Sequence, residues 1–430
     1  MSLIIYLFED HTYPNFYPLT YNRPVCELLF GINKLREKVA RHFPEAEIRL
    51  LCRDYLKVLL EEKTGLKVNS VSASERDRAL FLNGRVVPDH ALKSKINLSQ
   101  LKSYWKKEFL VATVVFGKEI ENQARRLLLG LKLKPEANKV YADQDMPSQK
   151  IDCRMVNYLW DLVSDNSDQI IDDIHNLKPR FASKKEKRHP GLDKQAVIYN
   201  PANLYLGKNS KLEAFVVLNA ENGPIYIDDG CRIQAFTRIE GPAYIGKNTR
   251  LFSAQISGGC SFGPECRLGG EIQQSIFQGH SNKYHQGFIG HSYLGEWVNL
   301  GAGTFNSDLK NNYSDITVTF PDKSIDTGRN KIGSFVGDQA KTGIGTLLNT
   351  GSYLGLGCNI FGGGMIRAKF IPSFGWGSIE GLQEYDRDKF IQTAAVVMQR
   401  RGVELSDSEK EVLKKIFSLT KTEREAFLQS

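Results

Sequence analysis

Two periods of apolar residues divide this chain. Up to about residue 178, apolar runs of strand length alternate with stretches of helical spacing. Leu3–Phe8, Glu47–Cys52, Ala79–Val87 and Phe109–Phe116 read as strands. Leu28–Phe43 reads as a helix, with apolar positions at Leu28, Leu29, Ile32, Leu35 and Val39, and so do Tyr55–Glu62, Ile120–Leu131 and Met155–Leu177. That alternation predicts a mostly parallel sheet with helices on its faces. From Leu206 the period becomes six, through Leu206, Leu212 and Leu218, then Ile227, Ile233, Ile239, Ile245 and Leu251. The register slips at Ser257–Gly259, recovers at Phe262 and Leu268, and slips again at Gln274. Ile276 lies twelve residues before Phe288, with Asn282 on the rung between. Phe288, Leu294 and Leu300 follow, and later Leu348, Leu354, Ile360 and Ile366. A period of six fits neither helix nor ordinary strand. It marks a hexapeptide β-helix, in which each short strand forms one flat side of a coil.

Small or polar residues after the ladder positions, as in Ile227-Asp228 and Ile245-Gly246, suit the corners. Phe305–Arg329 lacks the ladder, is polar, and is expected to loop out and carry binding residues. After Gly381 helical spacing returns in Phe390–Arg400 and Ser408–Leu419, with Ser406 or Asp407 as a cap. This tail is expected to close the open end of the solenoid. The resulting division is 1–178 α/β, 179–194 basic linker, 195–378 β-helix and 379–430 helical tail.

Composition changes the picture in three places. No run approaches the 18 or so apolar residues of a membrane span, and MSLIIYLFED reads as a first strand and not a signal peptide, so a cytoplasmic location is expected. The seven cysteines are scattered with no CxxC pair, which argues against a zinc knuckle or a disulfide framework. The net charge is +8, partly in Lys184-Lys185-Glu186-Lys187-Arg188; that run has no interleaved aromatics, so nucleic-acid binding is rejected. A mild positive excess suits anionic small substrates such as phosphates and coenzyme A.

Candidate chemistry lies in two places. The loop after the first strand has no glycine before Gly31, so a glycine-rich phosphate cradle is absent. Arg23, Asn83 and Arg85 remain as nucleotide-phosphate candidates, with a structural role as the alternative. Gly270–Asn306 carries His280, His285 and His291. An imidazole is a suitable base for acyl transfer near neutral pH, and Lys283 is a flexible cation beside it; His280 and His291 read as surface or packing residues. A metal site on the three histidines has no acid-rich pattern or cysteine pair in its support. Arg367 and Lys369 near the last coils suit coenzyme A phosphates. Gly301-Ala302-Gly303 and Gly362-Gly363-Gly364 allow close backbone approach, or form tight corners.

The stretches His285-Gln286-Gly287-Phe288-Ile289-Gly290 and Leu294-Gly295-Glu296-Trp297-Val298-Asn299-Leu300-Gly301-Ala302-Gly303-Thr304 resemble the acyltransferase half of the bifunctional UDP-N-acetylglucosamine pyrophosphorylase / glucosamine-1-phosphate N-acetyltransferase family. The likeness covers roughly residues 195–375, and Pro18–Pro24 and Pro372–Gly377 point to a diverged bacterial branch. The resemblance implies a nucleotidyltransferase-like α/β domain, a left-handed coil, a homotrimer and acetyl-CoA in the cleft between coils. Residue by residue it implies His285 as general base, Phe288 where a tyrosine contacts sugar phosphate, Asn299 on substrate and Ala302 on acetyl-CoA. Gln255 and Gln273 stand near the positions of the phosphate-holding Arg and Lys, so either the acceptor is not glucosamine 1-phosphate or Lys283, Lys310 and Lys341 hold it. The implied function is acetyl-CoA-dependent acetyl transfer to a sugar phosphate or sugar nucleotide in cell-envelope amino-sugar metabolism. Two alternatives stay open: a sugar-1-phosphate nucleotidyltransferase using Mg²⁺, and a non-catalytic sugar-nucleotide sensor or scaffold.

Overall fold

The computed structural model describes residues 3–71, 74, 77–132, 141, 145–177, 189–378 and 380–429. The basic run Lys184–Arg188 and the expected boundary at 178/179 lie outside them.

The continuous apolar run Leu3–Phe8 lies inside a six-stranded sheet, buried on both faces. Across the sheet the strands run Glu47–Leu51, Leu3–Phe8, Arg78–Asn83, Phe109–Phe116, Lys102–Lys106 and Ser148–Lys150. Leu3–Phe8 pairs in parallel with both neighbours, but Phe109–Phe116 is antiparallel to both of its own, so the sheet is mixed and not mostly parallel. Helices α1 (Leu35–His42), α2 (Lys57–Thr64), α3 (His90–Lys95) and α4 (Glu119–Gly130) cover it. Ile4, Tyr6 and Phe81 face Ile120, Ala124 and Leu127 of α4, while Ile5, Leu7 and Leu80 face Val39 and Leu59 of α1 and α2. The expected helix over Leu28–Phe43 is shorter. Gly31, at φ +67°, turns a small hairpin between Leu29–Phe30 and Asn33–Lys34, and α1 begins only at Leu35. Met155–Leu177 resolves into α5 (Leu159–Ser164) and α6 (Asn166–Leu177).

From Val197 the chain winds into a parallel β-helix. Its inward column on one flank reads Leu212, Ile233, Leu251 and Leu268, each in register with the next. Stacked coils place equivalent residues about 4.8 Å apart, so ladder positions become continuous columns in space, except that Ile289 and not the expected Phe288 faces in, beside Ile272. The slip near Ser257 is absorbed by an irregularity between Phe252 and Ala254. At the second slip, Lys283 and not Asn282 takes the inward rung: it pairs with Leu268, and Asn282 faces out.

A second flank carries an outward aromatic column: Tyr226, Tyr244, Ser261, Ile276, Tyr293, Phe335, Tyr353 and Phe370 in successive register. The α/β domain buries its middle. Phe30, Val163 and Ile170 pack there, and Trp160 meets Phe335 at 6.1 Å. A polar seam fixes the fit: Tyr293 donates to Leu29 O at 2.8 Å, Gln278 Nε2 donates to Glu27 O at 2.9 Å, and Asn166 Nδ2 donates to Gly259 O at 2.9 Å. The expected excursion over Phe305–Arg329 begins later, since Phe305–Asn306 is still a coil strand paired with Leu347–Leu348, and its Ile316, Val318 and Phe320 are buried in this same seam. It is largely an interface segment.

The tail only partly closes the coil. Gly381–Glu384 adds an antiparallel last strand beside Gly375–Ser378, and Phe427 of α9 (Lys421–Gln429) meets Phe370 at 6.3 Å. Helices α7 (Arg387–Gln399) and α8 (Asp407–Leu419) instead run back along the flank, where Lys63 of α2 meets Glu409 at 2.6 Å. Ser406 is the cap of α8, accepting from Glu409 N.

Candidate functional site

His285 sits at an exposed corner of the coil. Its support comes from beneath. Lys283 is 1 % exposed, and its Nζ donates to Gly269 O at 3.0 Å and to His285 O at 2.9 Å. Burial pushes this amine down to about 8, with Glu271 opposing the shift. Gly270, at φ +69°, makes the room: a Cβ there would stand 2.8 Å from the Lys283 nitrogen. Lys283 is therefore no flexible substrate cation. It braces the corner that presents His285. The imidazole lies outside, edge-on to Tyr284 at 4.8 Å, and Tyr284 rests on Phe252 at 4.1 Å.

Phe288 follows on the next flank, in an outward column of Arg238, Gln255, Glu271 and Phe288. This column holds a carboxylate below the aromatic ring. Gln273 stands opposite Gly290. Ala302 lies at a half-exposed turn whose carbonyl accepts from Gly345 N at 2.8 Å; a Cβ on Gly345 would meet nothing within 4 Å, so the corner is open to an approaching chain.

The structure separates the remaining expected contacts. Asn299 and Lys341 are in register with each other on a different flank from Phe288 and line a cavity of about 300 Å³ under α7. Asn299 Oδ1 accepts from Asn282 at 2.7 Å, and Lys341 donates to Gln339 O at 2.9 Å. Lys310 is half-buried in the excursion, donating to Asp315 O and to Ser314 at 3.3 Å. It lies near Lys369, whose proton affinity is lowered by burial and then by Lys310. Arg367 is exposed.

Of the other histidines, His280 stacks on Trp297 at 4.4 Å. His291 is 6 % exposed, and its Nδ1 lies 2.6 Å from Asp308 Oδ2. A carboxylate-oriented imidazole is the arrangement of a general base, but here it pins the start of the excursion to the coil. The sequence reading missed Asp308. Its spacing of 17 residues from His291, about one coil, was the available signal.

In the α/β domain all three expected phosphate contacts are committed elsewhere. Arg23 donates to Asp338 at 2.8 and 2.5 Å and lies 3.2 Å from Glu296, both on the coil. Arg85 donates to Asp10 at 2.7 Å and to Asn157 at 2.8 Å, with its guanidinium over Phe109. Asn83 donates to Asp10 at 2.8 Å and accepts from Arg85 N. Burial opposes ionisation of Asp10, but Arg85 and hydrogen bonds from Thr12 and Asn83 outweigh it and hold the carboxyl at about 2. Glu9 is likewise paired with Arg53 at 2.9 Å. The crevice at the carboxyl ends of the strands, where this fold class binds ligands, is filled by internal ion pairs. With Asp10 bound to Arg85, these residues do not fit a Mg²⁺–nucleotide site. Among the described residues no group of three or more His, Cys, Asp or Glu could hold a metal ion, and no helix is long and apolar enough to cross a membrane.

Residues 5–180 match the family model described as "Sugar nucleotidyl transferase". The bifunctional sugar-1-phosphate nucleotidylyltransferase/acetyltransferase of Sulfurisphaera tokodaii is 31% identical over 96 residues, 22% of this chain and 24% of that protein. The bifunctional protein GlmU of Rippkaea orientalis is 29% identical over 159 residues, 31% of this chain and 34% of that protein. The chain thus spans about a quarter to a third of the length of these curated relatives. Among solved structures, a UDP-N-acetylglucosamine acyltransferase from Campylobacter jejuni covers 53% of this chain and 96% of its own at 13% identity, with a TM-score of 0.26, too low to support an inference.

Proposed function

For a chain related to the bifunctional sugar-1-phosphate nucleotidyltransferase/acetyltransferases, we propose acetyl-CoA-dependent acetyl transfer to a sugar phosphate or sugar nucleotide, carried out on the β-helix. The observation that carries this reading is the contrast between the two halves. The α/β crevice is occupied by Asp10, Arg85, Asn83, Glu9 and Arg53, whereas His285 is exposed on a corner braced by Lys283. A base held by a rigid backbone and open on its outer face is what amine deprotonation during acyl transfer requires. His285 takes the proton from the attacking amine as nitrogen adds to the thioester carbonyl, and the coenzyme thiolate leaves. The open turn at Gly301–Gly303 fits close approach of a thioester-bearing chain, and Arg367 and Lys369 would meet coenzyme phosphates. Phe288 offers a ring face to the acceptor in place of a hydroxyl.

The test is free-thiol release from acetyl-CoA with a panel of amino-sugar phosphates and amino-sugar nucleotides. One acceptor should release thiol, and His285→Ala should lower the rate by about 10²-fold or more, the usual contribution of a general base. An unchanged rate in a folded His285→Ala protein removes His285 from the mechanism.

A second reading is favoured by the same filled crevice. The α/β domain then serves as a fixed partner of the coil and performs no nucleotidyl transfer. Absence of pyrophosphate release from any nucleoside triphosphate with a sugar 1-phosphate is the expected result.

A further inference from the structure

The flank beneath α7 carries an outward column unlike any other on the coil. Lys211, Arg232, Arg250 and Arg267 stand in successive register, followed by Asn282, Asn299 and Lys341. Coil stacking sets equivalent backbones about 4.8 Å apart. Like charges placed directly opposite on neighbouring strands are destabilising. A chain that stacks four cations in a row keeps them only if something relieves the repulsion. The protein itself does little: among the described residues, none of Arg232, Arg250, Arg267 and Arg400 has a carboxylate within ion-pair distance. Glu265 accepts from Arg401 through its backbone carbonyl at 3.1 Å, and its carboxylate, which accepts from Asn248, also attracts the Arg401 charge.

At the upper end of this column the flank becomes a cavity of about 300 Å³. Arg267 and Lys341 line the coil side, and Arg400 and Arg401, just after α7, close the outer side. The floor is aromatic. His280 and Trp297 occupy the same corner of neighbouring coils at positive φ, so their rings stack at 4.4 Å. His280 Nδ1 is buried with no hydrogen-bond partner. A buried polar atom without a partner is destabilising unless a ligand satisfies it. Asn282 and Asn299 add amide groups between the cations.

We propose that this cavity is a binding site for a phosphate monoester, its anion held between Arg267, Lys341, Arg400 and Arg401 and its ring laid against the His280–Trp297 pair. The chemistry is shared by phosphosugars and nucleoside monophosphates, and both fit a space of this size. Guanidinium groups suit phosphate because their N–H groups match its oxygens in pairs. The site lies on a different flank from Phe288 and is lined in part by Asn299 and Lys341, two of the residues expected to meet substrate. Burial first, then Arg267, lowers the proton affinity of Arg401, against the opposing charges of Cys266 and Glu265.

Calorimetric titration of the full chain at low salt tests this, with inorganic phosphate, UMP and glucosamine 1-phosphate as probes and uridine and glucosamine as controls. The phosphate esters are expected to bind and the controls not. Tighter binding of UMP identifies a nucleotide site, and tighter binding of glucosamine 1-phosphate a phosphosugar site. Arg267→Gln/Arg400→Gln should weaken either ester by about tenfold or more, yet raise the unfolding temperature of the unliganded protein, because like-charge repulsion is removed. A merely structural role would lower it. Trp297→Leu should weaken the better ester while leaving inorganic phosphate unchanged. Affinity should also fall as pH rises through about 8, where burial places the Lys341 amine with Cys358 opposing; Arg267, Arg400, Arg401 and His280 line the same cavity. His285→Ala should leave binding intact. Equal affinity in the wild type and the double variant, or binding of uridine as tight as UMP, overturns the proposal.

Discussion

The aromatic and the cationic columns are built by the same coils and differ only in what faces them. Tyr244, Tyr293 and Tyr353 repeat up one flank, and Arg232, Arg250 and Arg267 repeat up another. The aromatic column is matched within the chain: hydrophobic burial and a polar seam attach the α/β domain to it. The cationic column has no such partner among the described residues. A solenoid turns any outward position into a row of like side chains, so each row has to be matched by a surface of complementary chemistry. An apolar row is matched by folding. A charged row calls for an ion, and that difference separates the structural flank from the one available for a ligand.

The strongest way to break the matched flank is at its buried charge. Arg23→Ala leaves Asp338 and Glu296 without their cation and should cost about 3–5 kcal/mol in chemical denaturation, since losing one partner strands the other. Arg23→Met with Asp338→Leu should recover most of that loss; if it does not, the pair does more than neutralise itself. Tyr293→Phe removes only a hydroxyl and leaves Leu29 O without that donor, while Gln278 keeps its bonds to Leu29 N and Glu27 O, for about 1–3 kcal/mol.

Two smaller effects depend on pH. Glu423, on α9, accepts from Tyr21 of the α/β domain at 3.0 Å and from Ser373 N of the coil. Burial raises its carboxyl to about 7 despite these hydrogen bonds. The folded protein then holds this proton more tightly than the unfolded chain, so stability should fall as pH rises from about 4.5 to 7. Glu423→Gln should flatten that part of the curve, and an unchanged slope would place the titration elsewhere. Lys283 has the opposite sign. Its amine is depressed to about 8, so the unfolded chain binds the proton better and stability should rise from about pH 8 to 10.5. Lys283→Met should lose that rise and also slow acetyl transfer, because the His285 carbonyl is released. The smallest effect belongs to the unmatched column: Arg250→Gln alone should stabilise the unliganded protein by about 0.2–1 kcal/mol.

The coil was legible because a period of six survives in Ile227 through Leu251 without help from the rest of the chain. Its breaks were less so. Lys283 does not read as a core residue, because nothing local says that an amine can be buried against two carbonyls of neighbouring turns. The α/β strands were readable from Leu3–Phe8 and Phe109–Phe116, but their directions were not, since antiparallel pairing of Phe109–Phe116 depends on contacts far apart in sequence. Arg23 and Arg85 carried the residue type of phosphate ligands, and only Asp338 and Asp10 reveal that their charges are already matched. The arginine column was invisible as a column because its members lie a coil apart, and the coil lengths shift at the slips.

The proposed function places chemistry on the coil and leaves the α/β domain as a fixed support. The most direct measurement follows thiol and pyrophosphate together in one reaction containing acetyl-CoA, an amino-sugar phosphate, a nucleoside triphosphate and Mg²⁺. Thiol release that requires His285, with no pyrophosphate, is the predicted result. Pyrophosphate release without thiol would overturn that placement and return activity to the crevice at Asp10 and Arg85.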